Sequence, residues 1–308
     1  MRILAIDGGG IRGVYAAYIL KRIAEEFNTT FYKCFDLIVG TSTGAIIAAA
    51  LATNYPIEKI VGLYEVNSKQ IFKKQPGGFL GLLQSRYNNR YLKTLLGQTF
   101  GKKTMSDVLT RLMIPATDIG NGQVFVFKSN YLEEFVRDKD IRIADAVLAS
   151  CSAPTYFNPI VVREYLLADG GLWANNPSIA ALVEATGKMK TPVEKVRLLS
   201  VGTGIGNRYY SRKTVNRWWR KVGGLFGLSL YGTKLVEVIL NLQSKSAQNM
   251  MGLLLDEVHY LRLNFESDNK LSLDRIDIID DLKSRADQIF TYKAKTIERF
   301  LRECEGGV

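Results

Sequence analysis

FDLIVGTSTGAIIAAALATN, residues 35–54, decides how this chain is read. FDLIVG (35–40) is an apolar run of strand length, and AIIAAALATN (45–54) is a small-residue run that suits a helix. Between them stands Gly-x-Ser-x-Gly, residues 40–44. Gly40 and Gly44 let the backbone fold tightly on either side of Ser42. The hydroxyl then projects at the carboxyl end of a strand, above a helix N-terminus that favours developing negative charge. Ser42 is therefore a candidate nucleophile. The competing reading is a small-residue turn that happens to contain serine, and the flanking strand and helix weigh against it.

A serine nucleophile needs a proton acceptor, and the chain has one histidine, His259. It stands at the head of an alternating strand, in DEVHYLRLNF, where a structural or surface role is expected. Asp169 in LLADGG is the better candidate: it follows a strand end, and Gly170 and Gly171 let it approach another loop closely. A carboxylate serves directly as base when it is held within hydrogen-bond reach and partly desolvated. A second glycine loop, DGGG at 7–10, follows the first strand. Its N–H groups suit either a phosphate cradle or an oxyanion hole. Gly8, Gly10 and Gly13 match Gly-x-Gly-x-x-Gly. However, no acid ends the second strand and the lysine of a phosphate-binding loop is missing, so the oxyanion hole is favoured.

The chain has 308 residues, 47% of them hydrophobic, enough for a sizeable core. Lys and Arg exceed Asp and Glu by 41 to 30, a net charge of +11. Such a balance predicts an anionic partner, lipid surface or nucleotide, and its patterning does not suit duplex DNA. Cys34, Cys151 and Cys304 are odd in number and widely spaced, which points to a reducing compartment rather than a disulfide framework or a structural zinc site. No metal is expected. The N-terminus reads as a strand and not a signal peptide, and no apolar run approaches the ~18 residues of a spanning helix.

Along the chain, strands are expected at 2–6, 35–40, 112–119, 123–129, 161–171, 196–204 and 260–265. Helices are expected at 14–27, 45–54, 56–72, 141–154, 177–188, 231–256 and 280–303. Alternation of the two predicts an α/β fold with a mostly parallel sheet covered on both faces. Residues 73–104 lack periodicity and read as an excursion, part loop and part short helix. No acid occurs between Glu65 and Asp107, and 205–235 is a second acid-free stretch.

DGGGIRG (7–13), GTSTG (40–44) and DGG (169–171) stand in the order of the patatin-like phospholipase family, which the chain resembles. SCSAPTYFNP (150–159), SRYNNRYLKTLLGQTFG (85–101) and LLSVGTG (198–204) are also similar to segments of that family. The likeness covers residues 1–205 well and the rest loosely. It implies a three-layer α/β/α patatin-like fold in one domain, 1–308, with a helical and basic extension from about 205. It implies Ser42 as nucleophile and Asp169 as base, with the N–H groups of Gly8, Gly9, Gly10 and Thr43 as oxyanion hole. Arg12 would position the glycine loop or a lipid phosphate. The implied reaction is phospholipid ester hydrolysis through an acyl-enzyme, without a metal.

The layout further resembles patatin-like effectors of bacterial antiviral defence, which a cyclic dinucleotide switches on. That implies a cytoplasmic protein working at the inner membrane face, with a cyclic dinucleotide and copies of itself as partners. GGFLGLL (77–83) suits an interfacial loop. Arg208, Tyr209, Tyr210, Arg212, Lys213, Arg217, Trp218 and Trp219 suit either membrane or nucleotide. A solvated basic face, an ungated lipid acyl hydrolase and a non-catalytic nucleotide-binding module are the alternatives.

Overall fold

A computed structural model of the chain describes residues 1–75, 85–206, 225–268 and 271–302, with backbone alone over 225–235. The interfacial loop and the eight basic and aromatic contacts expected from the sequence lie outside those residues.

The first strand, β1 (Arg2–Ile6), leads through the glycine loop into α1 (Gly13–Phe27). Helix α1 buries Val14, Tyr15, Ile19, Leu20 and Ile23 on one stripe and ends at Asn28, whose left-handed φ of 49° stops the helix. A short helix, α2 (Phe31–Cys34), brings the chain back to β2 (Leu37–Gly40), α3 (Thr43–Ala52) and α4 (Ile57–Ile71). The excursion beyond α4 contains α5 (Asn89–Phe100), capped by the Asn88 side chain. Strands β3 (Arg111–Asp118) and β4 (Gln123–Lys128) form the expected antiparallel pair, and α6 (Ile143–Ser150) follows.

One expectation needs correction. Residues 161–171 are not one strand but a hairpin of β5 (Ile160–Val162) and β6 (Tyr165–Asp169). Arg163 takes a φ of 53° at the turn. With no glycine there, the sequence carried no sign of it. After β6 come α7 (Gly171–Ala174), α8 (Ser178–Val183), β7 (Arg197–Val201) and β8 (Ile205–Gly206). The chain closes with α9 (Leu225–Leu254), β9 (Tyr260–Leu263), β10 (Glu266–Ser267) and α10 (Ile279–Arg302).

The main sheet runs β5-β6-β3-β2-β1-β7-β9, with β4 also on β3, and its centre is parallel. Its side chains alternate between two cores. Leu4, Ile6, Ile38, Leu199, Val201, Leu261 and Leu263 point to the face covered by α1, α3, α4 and α10. Ile3, Ala5, Leu37, Val39 and Leu198 point to the other face, with Leu182 and Met251 of α8 and α9. This is the helix–sheet–helix layering expected from the sequence, and burial on both faces explains why the central strands read as unbroken apolar runs.

The registers around β3 position the site. Strand β4 occupies one edge of β3 across 113–118. The opposite edge is shared: β2 pairs in parallel with 111–113, and β6 pairs antiparallel with 116–118. So β2 and β6 meet head-on, carboxyl end to carboxyl end, with Pro115 near the junction. The turn after β2 carries Ser42, and the last residue of β6 is Asp169.

An ion pair ties the sheet's far edge to this centre. Arg262 of β9 reaches across β7 and grips Asp7 with two bonds, at 2.8 and 2.6 Å, touching Ser200 Oγ at 2.7 Å on the way. Asp7 is buried and the Arg262 side chain is only 9% exposed. Removing one partner strands a desolvated charge, so Arg262→Leu is expected to destabilise the fold by about 3–5 kcal/mol. Urea unfolding checks it: Asp7→Asn in the same chain should restore part of the loss. An unchanged midpoint in the single variant would show the pair to be dispensable.

Candidate active site

Ser42 sits on a strained turn, with φ 55° and ψ −123°, a conformation L-residues rarely adopt. The strain is held in place by the two glycines. A Cβ on Gly40 would stand 2.1 Å from the Gly44 carbonyl oxygen, and one on Gly44 would stand 2.3 Å from that of Ile6. Strand and helix thus cross at backbone contact. The Ser42 N–H donates to Ser150 Oγ at 2.9 Å, and Ser150 in turn donates to the Pro115 carbonyl at 2.6 Å. Ser150 of α6 therefore fastens the turn to the junction of β2 and β6.

Asp169 is buried. Its Oδ1 accepts the Gly171 N–H at 2.6 Å, and its main chain is anchored by Ser152 and Thr117. The Ser42 side chain lies close enough to that carboxyl to lower its pKa, and both line one cavity, so the two residues singled out from the sequence stand together. Burial pushes the Asp169 pKa up to about 7, against the lowering effect of the bonds from Gly171 and Ser42. A carboxylate poised there is a far stronger base than one in water. Gly170 allows the approach, since a Cβ on it would lie 2.2 Å from the Pro115 carbonyl oxygen.

The glycine loop faces the same point. Gly9 and Gly10 line the cavity beside Ser42, as does Thr43 at the first turn of α3. Gly10 and Thr43 both open helical turns, where N–H groups have no intrahelical acceptor. Gly8 differs: its N–H donates to the Asn175 carbonyl at 2.9 Å, so it holds the loop rather than facing the cavity. Arg12 is buried, and donates to the carbonyls of Gly9 at 3.2 Å and Gly204 at 3.0 Å. Of its two expected roles, it stands where it braces the loop, turned away from solvent. His259 pairs with Asp256 ahead of β9, at the opposite end of the parallel strands from Ser42.

The cavity over this centre encloses about 670 Å³, counting its open mouth. Away from Ser42 and Asp169 its walls are apolar: Ile46, Ile71, Phe72, Leu92, Phe157 and Leu240. A slot of this apolar character suits an aliphatic chain. The sequence reading missed two groups here. Cys151 lines the cavity near Ser42, with its thiol held protonated by burial and by the nearby Asp169 charge. Asn175 lies beside both Ser42 and Asp169. Its only signal was the polar pair Asn175–Asn176, set off from the Asp-Gly-Gly turn by Leu172, Trp173 and Ala174.

A family model described as patatin-like phospholipase matches residues 4–182, which takes in the glycine loop, Ser42, Asp169 and Asn175. The chain belongs to the patatin-like phospholipase family. With it comes the esterase class of hydrolases expected from the sequence. Among relatives of this patatin-like chain is the cUMP-AMP-activated phospholipase of Escherichia coli. It is 35% identical over 215 residues, covering 66% of this chain and 65% of the relative. The cGAMP-activated phospholipase of Escherichia coli strain TW11681 is 30% identical over 296 residues, covering 90% of this chain and 80% of the relative. A plant relative, patatin-like protein 1 of Arabidopsis thaliana, is 30% identical over 259 residues, 70% of this chain and 62% of its own. Among solved structures, VipD from Legionella pneumophila shares the fold with a TM-score of 0.51 at 12% identity, over 94% of this chain and 66% of its own. No helix among the described residues is long and apolar enough to cross a membrane.

Proposed function

We propose that this chain hydrolyses the acyl esters of membrane phospholipids through Ser42 and Asp169, and that a cyclic dinucleotide switches it on. The observation that carries the chemistry is a strained serine beside a buried, weakly acidic aspartate at the mouth of an apolar cavity. Asp169 takes the Ser42 proton as Oγ attacks the ester carbonyl. The oxygen that gains charge faces the N–H groups of Gly9, Gly10 and Thr43. Collapse breaks the bond to the glycerol oxygen, Asp169 returns the proton to it, and a lysolipid leaves. Water then releases the fatty acid from Ser42 by the same steps. The acyl chain lies along Ile71, Phe72 and Leu92, and no step calls for a metal.

Support for nucleotide control is of another kind. The bacterial relatives named above carry it in their names, and the alignment with one of them runs over 90% of this chain, well past the catalytic motifs. The acid-free stretches at 66–106 and 205–235 offer the positive charge that both a nucleotide and an anionic bilayer need. We read the whole chain as one unit acting at the inner face of the membrane in antiviral defence, and assembling with copies of itself when activated.

Fatty-acid release from phosphatidylglycerol–phosphatidylethanolamine vesicles, with and without a panel of cyclic dinucleotides, tests both parts. Release with one nucleotide only is the expected result. Release with no addition would leave an ungated lipase. No release under any condition, from vesicles or soluble esters, would remove the reading.

A further inference from the structure

Asn175 brings an unanswered hydrogen-bond acceptor to the reacting centre. The residue is 3% exposed, and its Oδ1 has no partner among the described residues. The far side of the amide fixes its orientation. Nδ2 donates to Ser244 Oγ at 2.8 Å and to the Leu240 carbonyl at 3.4 Å. A carbonyl only accepts, so the nitrogen faces α9 and the oxygen turns the other way, toward Gly8 and Gly171. Two points locate that oxygen. The place a Cβ on Gly8 would take lies 2.4 Å from Asn175 Oδ1 and 3.3 Å from Ser42 Cβ. The place a Cβ on Gly171 would take lies 2.9 Å from Asp169 Oδ1 and 3.0 Å from Asn175 Oδ1. Asn175 Oδ1 therefore lies close to both the nucleophile and its base.

Two acceptors converging in a buried place call for a donor with two hydrogens. Ser42 has one, and once acylated it has none. A water molecule has two, and with one O–H directed at each acceptor its lone pair faces the acyl group on Ser42. We propose that Asn175 orients the water that hydrolyses the acyl-enzyme, and so serves the second half of the reaction and not the first. The idea rests on the Ser42–Asp169 reading above. In that step the water oxygen bonds to the acyl carbon and one of its protons passes to Asp169. The other proton remains on the new carboxylic acid. Collapse breaks the bond from the acyl carbon to Oγ, and the proton on Asp169 returns to Ser42.

The test is pre-steady-state kinetics on a nitrophenyl ester, with intact-protein mass measured during turnover, in the presence of the cyclic dinucleotide that gives the highest rate. Asn175→Ala is expected to lower kcat roughly a hundredfold, the cost of misplacing a reactant. Because kcat/KM reports acylation, it should stay close to the wild-type value, and an acyl adduct should accumulate on Ser42. Equal losses in kcat and kcat/KM with no adduct would overturn the proposal. Ser244→Ala removes only one of the two partners of Nδ2 and should turn over without an adduct. The same adduct there would make Asn175 a packing residue for α9. If Asn175→Ala does not fold, Asn175→Leu fills the same volume without an acceptor and should show the same adduct. Turnover without an adduct in that variant overturns the idea as well. Failure of the underlying reading looks different: no burst and no adduct in any protein, wild type included.

Discussion

Replacing Ser42 by alanine is expected to lower ester hydrolysis by about 10⁶-fold, the loss seen when a hydrolase nucleophile is removed. The size follows from the surroundings, which hold no substitute. Ser150 already gives its proton to the Pro115 carbonyl, and Ser152 gives its own to Leu148. Cys151 touches Ser42, but burial and the Asp169 charge keep it a thiol, and a thiol is a poor nucleophile. The fold should not notice the change. The turn is held by the Ser42 N–H on Ser150 and by the crossing of Gly40 and Gly44, none of which uses the hydroxyl. Fatty-acid release and thermal unfolding measured on the same preparation check both halves. Residual activity within tenfold of the parent, a gap of only about 1.4 kcal/mol in barrier, would show that another group attacks the ester.

The catalytic pair was legible because each half is a local feature. An apolar strand, a glycine turn and a small-residue helix announce Ser42 within twenty residues of sequence, and Asp169 announces itself by the two glycines that follow it. What brings the halves together was not legible. It depends on β2 and β6 sharing one edge of β3, a register set by pairing and not by any residue's chemistry. The same holds for Arg262, whose partner Asp7 is 255 residues away in sequence. The hairpin turn at Arg163 went unread because its positive φ falls on a residue that seldom adopts one. Gly8 shows the limit of motif reading from the other side. Three consecutive glycines look equivalent in sequence, yet Gly8 is committed to the Asn175 carbonyl while Gly9 and Gly10 face the cavity. Asn175 carried no signal beyond its pairing with Asn176, since an asparagine soon after a turn is ordinarily a local cap.

Asp169→Asn should cut turnover by about 10⁴-fold and make the protein more stable. The amide keeps the shape and the bond from the Gly171 N–H but cannot take a proton from Ser42 or from water. In the parent, burial lifts the carboxyl pKa from 3.8 to about 7. Only the ionised form is a base, so kcat/KM should rise with pH to a plateau, with a midpoint near 7 that the variant lacks. The sign for stability is the reverse. A pKa raised on folding means the folded state holds its proton more tightly than the unfolded chain does. That stabilisation is fully present below the unfolded value of 3.8 and is lost as pH rises through about 7. Over that interval the loss amounts to about 4 kcal/mol at 1.36 kcal/mol per unit, and the asparagine does not suffer it. Urea unfolding at pH 8 should therefore favour Asp169→Asn, with the gap narrowing as pH is lowered toward 5. A variant no more stable than its parent at pH 8 would mean that Asp169 carries its charge at little cost in the folded protein. The base would then have an ordinary pKa, and the rate profile should lose its midpoint near 7 with it. The two experiments read one quantity, the energy of a buried charge, first as reactivity and then as strain on the fold.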